Sequence, residues 1–118
     1  MFGTLGLARL YISSGQSEKA IDMLQNTLKW YPGDHEISLF MGLAYAFRKD
    51  AQRAVEEFER AIKWNPDYPL AHFYLGVQVQ NSDPSSARRH LEAFLNLTRD
   101  KPGQSHLIQK TEKLLKKL

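Results

Sequence analysis

The stretch HEISLFMGLAYAFRKDAQRAVEEFERAIKWNPDY, residues 35–68, decides how the chain folds. Its small, apolar and aromatic residues recur at the spacing of two short helices joined by a turn, a unit about 34 residues long. The same pattern returns when the sequence is shifted by this period. The residues that coincide are Tyr11 with Tyr45, Ala20 with Ala54, Trp30 with Trp64, Pro32 with Pro66, and Met41–Gly42 with Leu75–Gly76.

The composition limits the classes of protein that need to be considered. The chain has 118 residues, of which 42% are hydrophobic, so it can form a packed domain. Its net charge of +3 is too small for a dedicated nucleic-acid-binding protein. It contains no cysteine, no apolar run long enough to span a membrane and no start typical of a secretory signal. These features do not indicate a compartment.

The first repeat is predicted to contain two helices, the first from about Phe2 to Ser13. The sequence Ser14-Gly15-Gln16 predicts a turn, because glycine adopts the left-handed backbone that ends a helix. We expect Ser17 to cap the second helix. Pro32 closes the repeat, and Asp34 is a good cap for the helix that follows. Since Met1–Thr4 offers no such cap, we interpret the chain as a domain of a longer protein.

The second repeat has the clearest pattern, and Asp50 is predicted to cap its second helix. Gly42 and Ala54 are small, which predicts that its two helices approach closely at these positions. Trp30 and Trp64 end the second helices of their repeats. We therefore expect them to cover the seams to the following repeats.

The third repeat departs from the first two. Pro69 suits the first turn of a helix, and Asp83 followed by Pro84 predicts a capped helix start. However, Ala87 arrives one residue early and the closing Pro102 is late. Repeats at the end of an array are commonly atypical, because they face no neighbour on one side.

The last stretch, from about Gln104 to Leu118, is predicted to be one amphipathic helix. One interpretation is a lid on the preceding helices; the other is a helix that binds a membrane surface or a partner. A membrane-surface helix would be expected to carry an interfacial aromatic residue, which is absent here. The apolar face consists of Leu107, Ile108, Thr111, Leu114, Leu115 and Leu118.

The repeated pattern, together with Phe58 and Ala61, resembles the tetratricopeptide repeat family, whose members are helical arrays that bind other proteins. The resemblance implies an all-α fold: a right-handed α-solenoid of three helix-turn-helix repeats plus a C-terminal capping helix, seven helices in all. It implies a single domain, residues 1–118. The repeats would span about residues 1–34, 35–68 and 69–102, and the cap about residues 104–117.

The resemblance also implies a binding face. In this family the first helix of each repeat lines the concave side of the array, where ligands lie. Members that grip acidic chain ends place several basic and amide side chains there, whereas only Arg9 is basic here. We therefore expect an apolar or amphipathic peptide, bound as a helix or an extended chain. Counting by helical turns from the packing residues places twelve side chains on this face: Phe2, Leu5, Arg9, Ile12, Glu36, Leu39, Leu43, Phe47, Leu70, Phe73, Val77 and Gln80.

Two alternatives remain open for these residues. In the first, these residues touch neighbouring helices and the groove is narrow. In the second, another copy of the chain covers the apolar groove or the open N-terminal end that begins with Phe2, and the protein is a self-association module.

No pattern in the sequence indicates catalysis. It has no glycine-rich phosphate loop, no cysteine nucleophile and no serine elbow. The four histidines, at positions 35, 72, 90 and 106, show no spacing typical of metal ligands. The basic patches at residues 48–53 and 88–90 lack interleaved aromatic residues for stacking on bases. We predict no enzymatic activity, no cofactor or metal, and a protein or peptide partner rather than a nucleic acid.

Overall fold

A computed structural model describes residues 2–118, except for the side chains of Phe2 and Pro102. Over these residues it contains seven α-helices, one short 3₁₀ turn and no β-strand, which confirms the predicted all-α class. The helices are α1 (Phe2–Ser13), α2 (Ser17–Leu28), α3 (His35–Phe47), α4 (Ala51–Trp64), α5 (Pro69–Val79), α6 (Pro84–Thr98) and α7 (Ser105–Lys117), and the turn is Pro102–Gln104.

The helices form two compact units. The first unit ends at Pro66 and contains α1 to α4, and the second unit, Asp67–Leu118, contains α5 to α7. The boundary falls close to the predicted end of the second repeat. That the whole chain forms a single domain stays a prediction.

Three aspartates fix the starts of helices, as predicted. The Asp34 carboxylate accepts hydrogen bonds from the backbone N–H groups of Glu36 and Ile37, at 2.9 and 3.1 Å. Asp50 accepts one from the N–H of Arg53 at 3.3 Å, and Asp83 accepts one from the N–H of Ser86 at 3.1 Å. Each bond satisfies a donor that the first turn of a helix leaves without an intrahelical partner.

The prediction that Ser17 caps α2 was wrong by one residue. Ser17 is already helical and buried, and Gln16 occupies the cap position without a side-chain hydrogen bond. The reason lies in the tight turn before it, where Gly15 has φ +80° and Gln16 donates its N–H to the Tyr11 carbonyl at 2.7 Å. Lys49, one repeat period after Gly15, adopts the same left-handed backbone with φ 66°.

The first unit is held together by a close approach of α3 and α4. A Cβ atom added at Gly42 would lie 2.5 Å from Cε1 of Phe58, a ring that is only 1% exposed. Ala54 is fully buried on the same helix as Phe58. The prediction that a small residue allows this approach is confirmed for Gly42.

Trp30 does not take the position we expected. Trp30 is 81% exposed, because α2 ends at Leu28 and Trp30 lies in the turn beyond the buried face of the helix. Trp64 is 49% exposed and contacts the turn before α3, where its Cε3 would lie 3.4 Å from a Cβ added at Gly33. The prediction that Trp30 covers a seam was wrong. Trp64 lies against this turn in its own unit, and its role at the seam to the third repeat stays a prediction.

The second unit has its own small core. Phe73 from α5 and Leu91 and Phe94 from α6 are buried together. A Cβ added at Gly76 would lie 2.7 Å from Cγ of Leu91, so α5 and α6 also approach closely at a glycine. The predicted apolar face of α7 lies against this core through Leu107, Ile108, Leu114, Leu115 and Leu118.

Substitution of Gly42 by alanine should destabilise the first unit by about 1–3 kcal/mol, because the buried Phe58 ring must move. Both tryptophans lie in this unit, so tryptophan fluorescence during urea unfolding reports on it selectively. Gly6→Ala is the matched control, since a Cβ at Gly6 meets nothing within 4 Å. Gly6→Ala should stabilise the first unit by up to about 1 kcal/mol, because alanine has a higher helix propensity than glycine. Equal effects of the two substitutions would contradict this account of Gly42.

Lys49→Gly should stabilise the first unit by roughly 0.5–1 kcal/mol in the same assay. Glycine removes the left-handed strain on a residue with a Cβ, although its own flexibility offsets part of the gain. Lys29→Gly is the control, because Lys29 is also exposed near a helix end but has φ −60°. That change should be destabilising.

Candidate functional site

The predicted binding face in the first unit is formed by side chains of α1 and α3, which pack against each other. On α1, Leu5 is partly buried and Arg9 is exposed. On α3, Glu36 is exposed, Leu43 is partly buried and Phe47 is 64% exposed. The side chain of Phe2 lies outside the part of the structure that is described.

Three predicted site residues are core residues instead. Ile12, Leu39 and Phe73 are 5%, 2% and 2% exposed, so the expectation that they line an open groove needs correction. Leu39, Leu43 and Phe47 recur four residues apart. Four residues advance an α-helix by about 40° more than one full turn. Leu39 therefore lies about 80° around the helix axis from Phe47. Phe73 is the equivalent of Leu39 one repeat later, and Ile12 lies toward the buried Ala8.

Phe40 belongs to this face and was not predicted. Residues 36, 40, 43 and 47 occupy a narrower arc of the helix surface than the series in which residue 39 takes the place of residue 40. The guanidinium carbon of Arg9 lies 5.9 Å from the centre of the Phe40 ring, a cation–π contact that joins α1 to α3. The one basic residue of the predicted face is therefore already engaged with an aromatic ring.

An open hollow of about 500 Å³ lies beside Phe47 at the end of α3. Its other walls are the turn between α1 and α2, the first residues of α2, and Arg48. Arg48 forms a salt bridge with Glu18 at 2.9 Å. The hollow thus combines an exposed aromatic ring with a rim that carries both signs of charge. The residues that line it are Gly15, Gln16, Ser17, Glu18, Lys19, Phe47 and Arg48.

In the second unit the predicted face reduces to three residues of α5 and its C-terminal end. Leu70, Val77 and Gln80 are all partly buried. The Gln80 amide donates a hydrogen bond to the Val77 carbonyl at 3.0 Å. Phe73 is packed against the Phe94 ring, with centroids 5.3 Å apart. The role of Leu70, Val77 and Gln80 in binding stays a prediction.

The structure brings together two histidines that the sequence left apart. The Nδ1 atoms of His72 on α5 and His90 on α6 lie 3.0 Å apart, and the two rings stack with centroids 5.3 Å apart. Burial, followed by the charges of His72 and Arg89, lowers the pKa of His90. Their pairing depends on how α5 and α6 align as a hairpin, which residue spacing within one helix does not reveal.

Within residues 2–118, no three or more His, Asp or Glu side chains cluster as metal ligands would. Over the same residues, none of the helices is both long and apolar enough to cross a membrane.

Comparison with known families settles the fold type. The tetratricopeptide repeat model matches residues 5–69 and 41–77, which together make up more than half of the chain. The chain belongs to the tetratricopeptide repeat family. This confirms the resemblance read from the repeated residues, and the all-α architecture is that of a protein-interaction scaffold.

Two proteins of other organisms are similar in sequence to this chain. The probable biofilm formation methyltransferase WspC of Pseudomonas putida is 32% identical over 71% of this chain and 20% of its own length. The anaphase-promoting complex subunit CDC16 of Saccharomyces cerevisiae is 25% identical over 81% of this chain and 12% of its own length. The chain therefore spans a fifth or less of these relatives.

Among solved structures, the type III secretion chaperone SycD of Yersinia enterocolitica, in complex with a peptide of the translocator YopD, superposes with a TM-score of 0.89. The match covers 97% of this chain and 88% of SycD at 18% identity. At this identity the likeness shows the fold.

The histidine pair predicts a pH-dependent stability of the second unit. Burial disfavours the protonated form of His90, and so do the charges of His72 and Arg89. If both rings were protonated, their N–H donors would also point at each other. Because the folded-state pKa of His90 is lowered from 6.5, this contribution is complete above pH 6.5 and is lost as the pH falls below it.

We therefore expect thermal unfolding followed by circular dichroism to show a smaller loss of stability between pH 7.5 and 5.5 in His90→Gln than in the original protein. His106→Gln is the control, because His106 is exposed on α7. A loss of equal size in all three proteins would show that the pair does not contribute.

Proposed function

We propose that the chain binds an apolar or amphipathic peptide segment of a partner protein along the first helices of its repeats. In the first unit the binding surface is the α1–α3 face, defined as Leu5, Arg9, Glu36, Phe40, Leu43 and Phe47. Leu70, Val77 and Gln80 are the predicted contribution of the second unit. The partner is another protein, as in the scaffold role of the family.

The observation that carries the proposal is the 64% exposure of Phe47 beside a hollow of about 500 Å³. Exposed large aromatic side chains next to concave surfaces are common anchors of protein interfaces. Burying a phenylalanine stabilises a complex by about 1.5–3 kcal/mol, so this one side chain is enough to act as a hot spot.

The charges around the hollow favour an amphipathic ligand. Glu18 and Arg48 pair across its rim, and Lys19 adds a further positive charge. An apolar ligand side chain can contact Phe47 while neighbouring polar groups of the ligand meet this rim. Arg9, held over the Phe40 ring, is poorly placed to act as one of several clamps on an acidic chain end.

The complex of SycD with a YopD peptide supports a peptide ligand, since that protein shares the fold of this chain. The chain spans only a fifth or less of its curated relatives, so the activity named for WspC is not assigned to it. A self-association role is supported by a different surface and is argued in the next subsection.

A library of random 12-residue peptides displayed on phage, selected on the immobilised chain, should yield sequences with two or three spaced apolar residues. An enriched peptide, synthesised with a fluorescent label, should then lose at least about tenfold in affinity for Phe47→Glu and Leu43→Glu in fluorescence anisotropy. Tenfold corresponds to about 1.4 kcal/mol, the scale of a hot-spot contact.

Leu10→Glu is the matched control, because Leu10 is as exposed as Phe47 but lies on another face of the first unit. It should bind the peptide normally. The proposal would be contradicted if the Phe47→Glu variant did not fold. It would also be contradicted if the selection yielded only peptides with acidic C-termini.

A further inference from the structure

An exposed apolar face runs along α1, on a side of the helix different from the α1–α3 face. It consists of Gly3, Gly6, Leu7 and Leu10, which fall within about 100° of the helix circumference. Leu7 and Leu10 are 41% and 64% exposed, and Cβ atoms added at Gly3 and Gly6 would meet nothing within 4 Å. We call these four residues the α1 outer face.

The internal repeat indicates that this is a packing surface. One period of 34 residues later, its positions become Ile37, Phe40, Met41 and Ala44 on α3. Three of these, Ile37, Met41 and Ala44, are at most 3% exposed, because the preceding hairpin of α1 and α2 packs against α3. On α1 the equivalent surface lies open to solvent.

The order of residues on the α1 outer face makes it complementary to itself. In two antiparallel copies related by a two-fold axis between Gly6 and Leu7, Leu10 of one copy faces Gly3 of the other, and Leu7 faces Gly6. Every large side chain then meets a glycine, as in cores that alternate large and small residues. We infer that two copies of this chain associate through α1, packed antiparallel about that axis. The inference does not depend on the proposed peptide binding.

Charge permits this association. α1 has no acidic residue in its first turn and no basic residue in its last. Its one charged side chain, Arg9, lies over Phe40 and points away from the α1 outer face. Two copies therefore come together without burying a charge or placing like charges in contact.

The short length of α1 indicates a weak dimer. A 12-residue helix is about 18 Å long, and a stable interface needs about 1,200 Å² in total. The exposed side chains of Trp30 and Tyr31, which line a hollow with Thr4, add apolar surface beside the first turn of α1. Even so, the contact is at the small end of specific interfaces, where complexes dissociate readily.

Sedimentation equilibrium of the full chain, from about 1 to about 500 μM, should show a monomer–dimer equilibrium in the range expected of a small interface. Leu10→Glu should raise the dissociation constant at least tenfold, and Leu10→Ala should raise it less. Phe47→Glu is the control, because Phe47 is also 64% exposed but lies outside the α1 outer face. This variant should dimerise normally. Far-UV circular dichroism checks that every variant is folded.

Disulfide cross-linking tests the register, which is simple here because the chain contains no cysteine. Gly3→Cys and Leu10→Cys, mixed and oxidised, should form a covalent heterodimer. Either variant alone should not, because two copies of the same position lie about 10 Å apart along the helices, beyond the reach of a disulfide.

A chain that is monomeric at every concentration would overturn the inference, as would equal self-association of Leu10→Glu. Cross-linking of Gly3→Cys with itself would overturn the antiparallel register. Retained peptide binding by Leu10→Glu and retained dimerisation by Phe47→Glu would separate the two surfaces, so failure of one proposal would leave the other standing.

Discussion

The close approach of paired helices at a glycine is the constraint on which the rest of the structure depends. Gly42 on α3 faces Phe58, and Gly76 on α5 faces Leu91, in each case without room for an added methyl group. The two glycines are one repeat period apart, but their partners are separated by one residue less. The shorter α5 absorbs this difference, so the large side chain still meets the glycine. The contact, rather than the exact residue count, is what the repeat preserves.

This approach decides which side chains remain for binding. Once α4 packs at Gly42 and the hairpin of α1 and α2 packs against α3, the side of α3 that carries Ile37, Met41 and Tyr45 is buried. The side that carries Glu36, Leu43 and Phe47 faces outward. The exposed ring of Phe47 then lies next to the turn between α1 and α2, where the Glu18–Arg48 pair borders the hollow. An interaction surface thus arises from the same geometry that closes the core.

The sequence predicted the architecture well because its strongest signals are local. Aspartates before helices, prolines in first turns and a 34-residue period each act over a few residues, and Asp34, Asp50 and Asp83 all cap as expected. The site was predicted less well because it depends on the direction in which each side chain points around the helix axis. On α3, a count in steps of four drifts by about 40° per step, enough to put Leu39 in the core and to miss Phe40. Phe73 is buried because it is the equivalent of Leu39 one repeat later. The stacking of His72 with His90 depends on the alignment of two helices, which no single-helix pattern contains.

The contact of α7 with the core of the second unit has a consequence for how the chain is made. Phe73, Leu91 and Phe94 precede α7 in the chain but are covered in part by its leucines and isoleucine. During synthesis, the first unit can close as soon as α4 leaves the ribosome. The second unit must wait with an open apolar surface until α7 emerges. A nascent chain paused before Ser105 would therefore be the form most exposed to chaperone binding and aggregation.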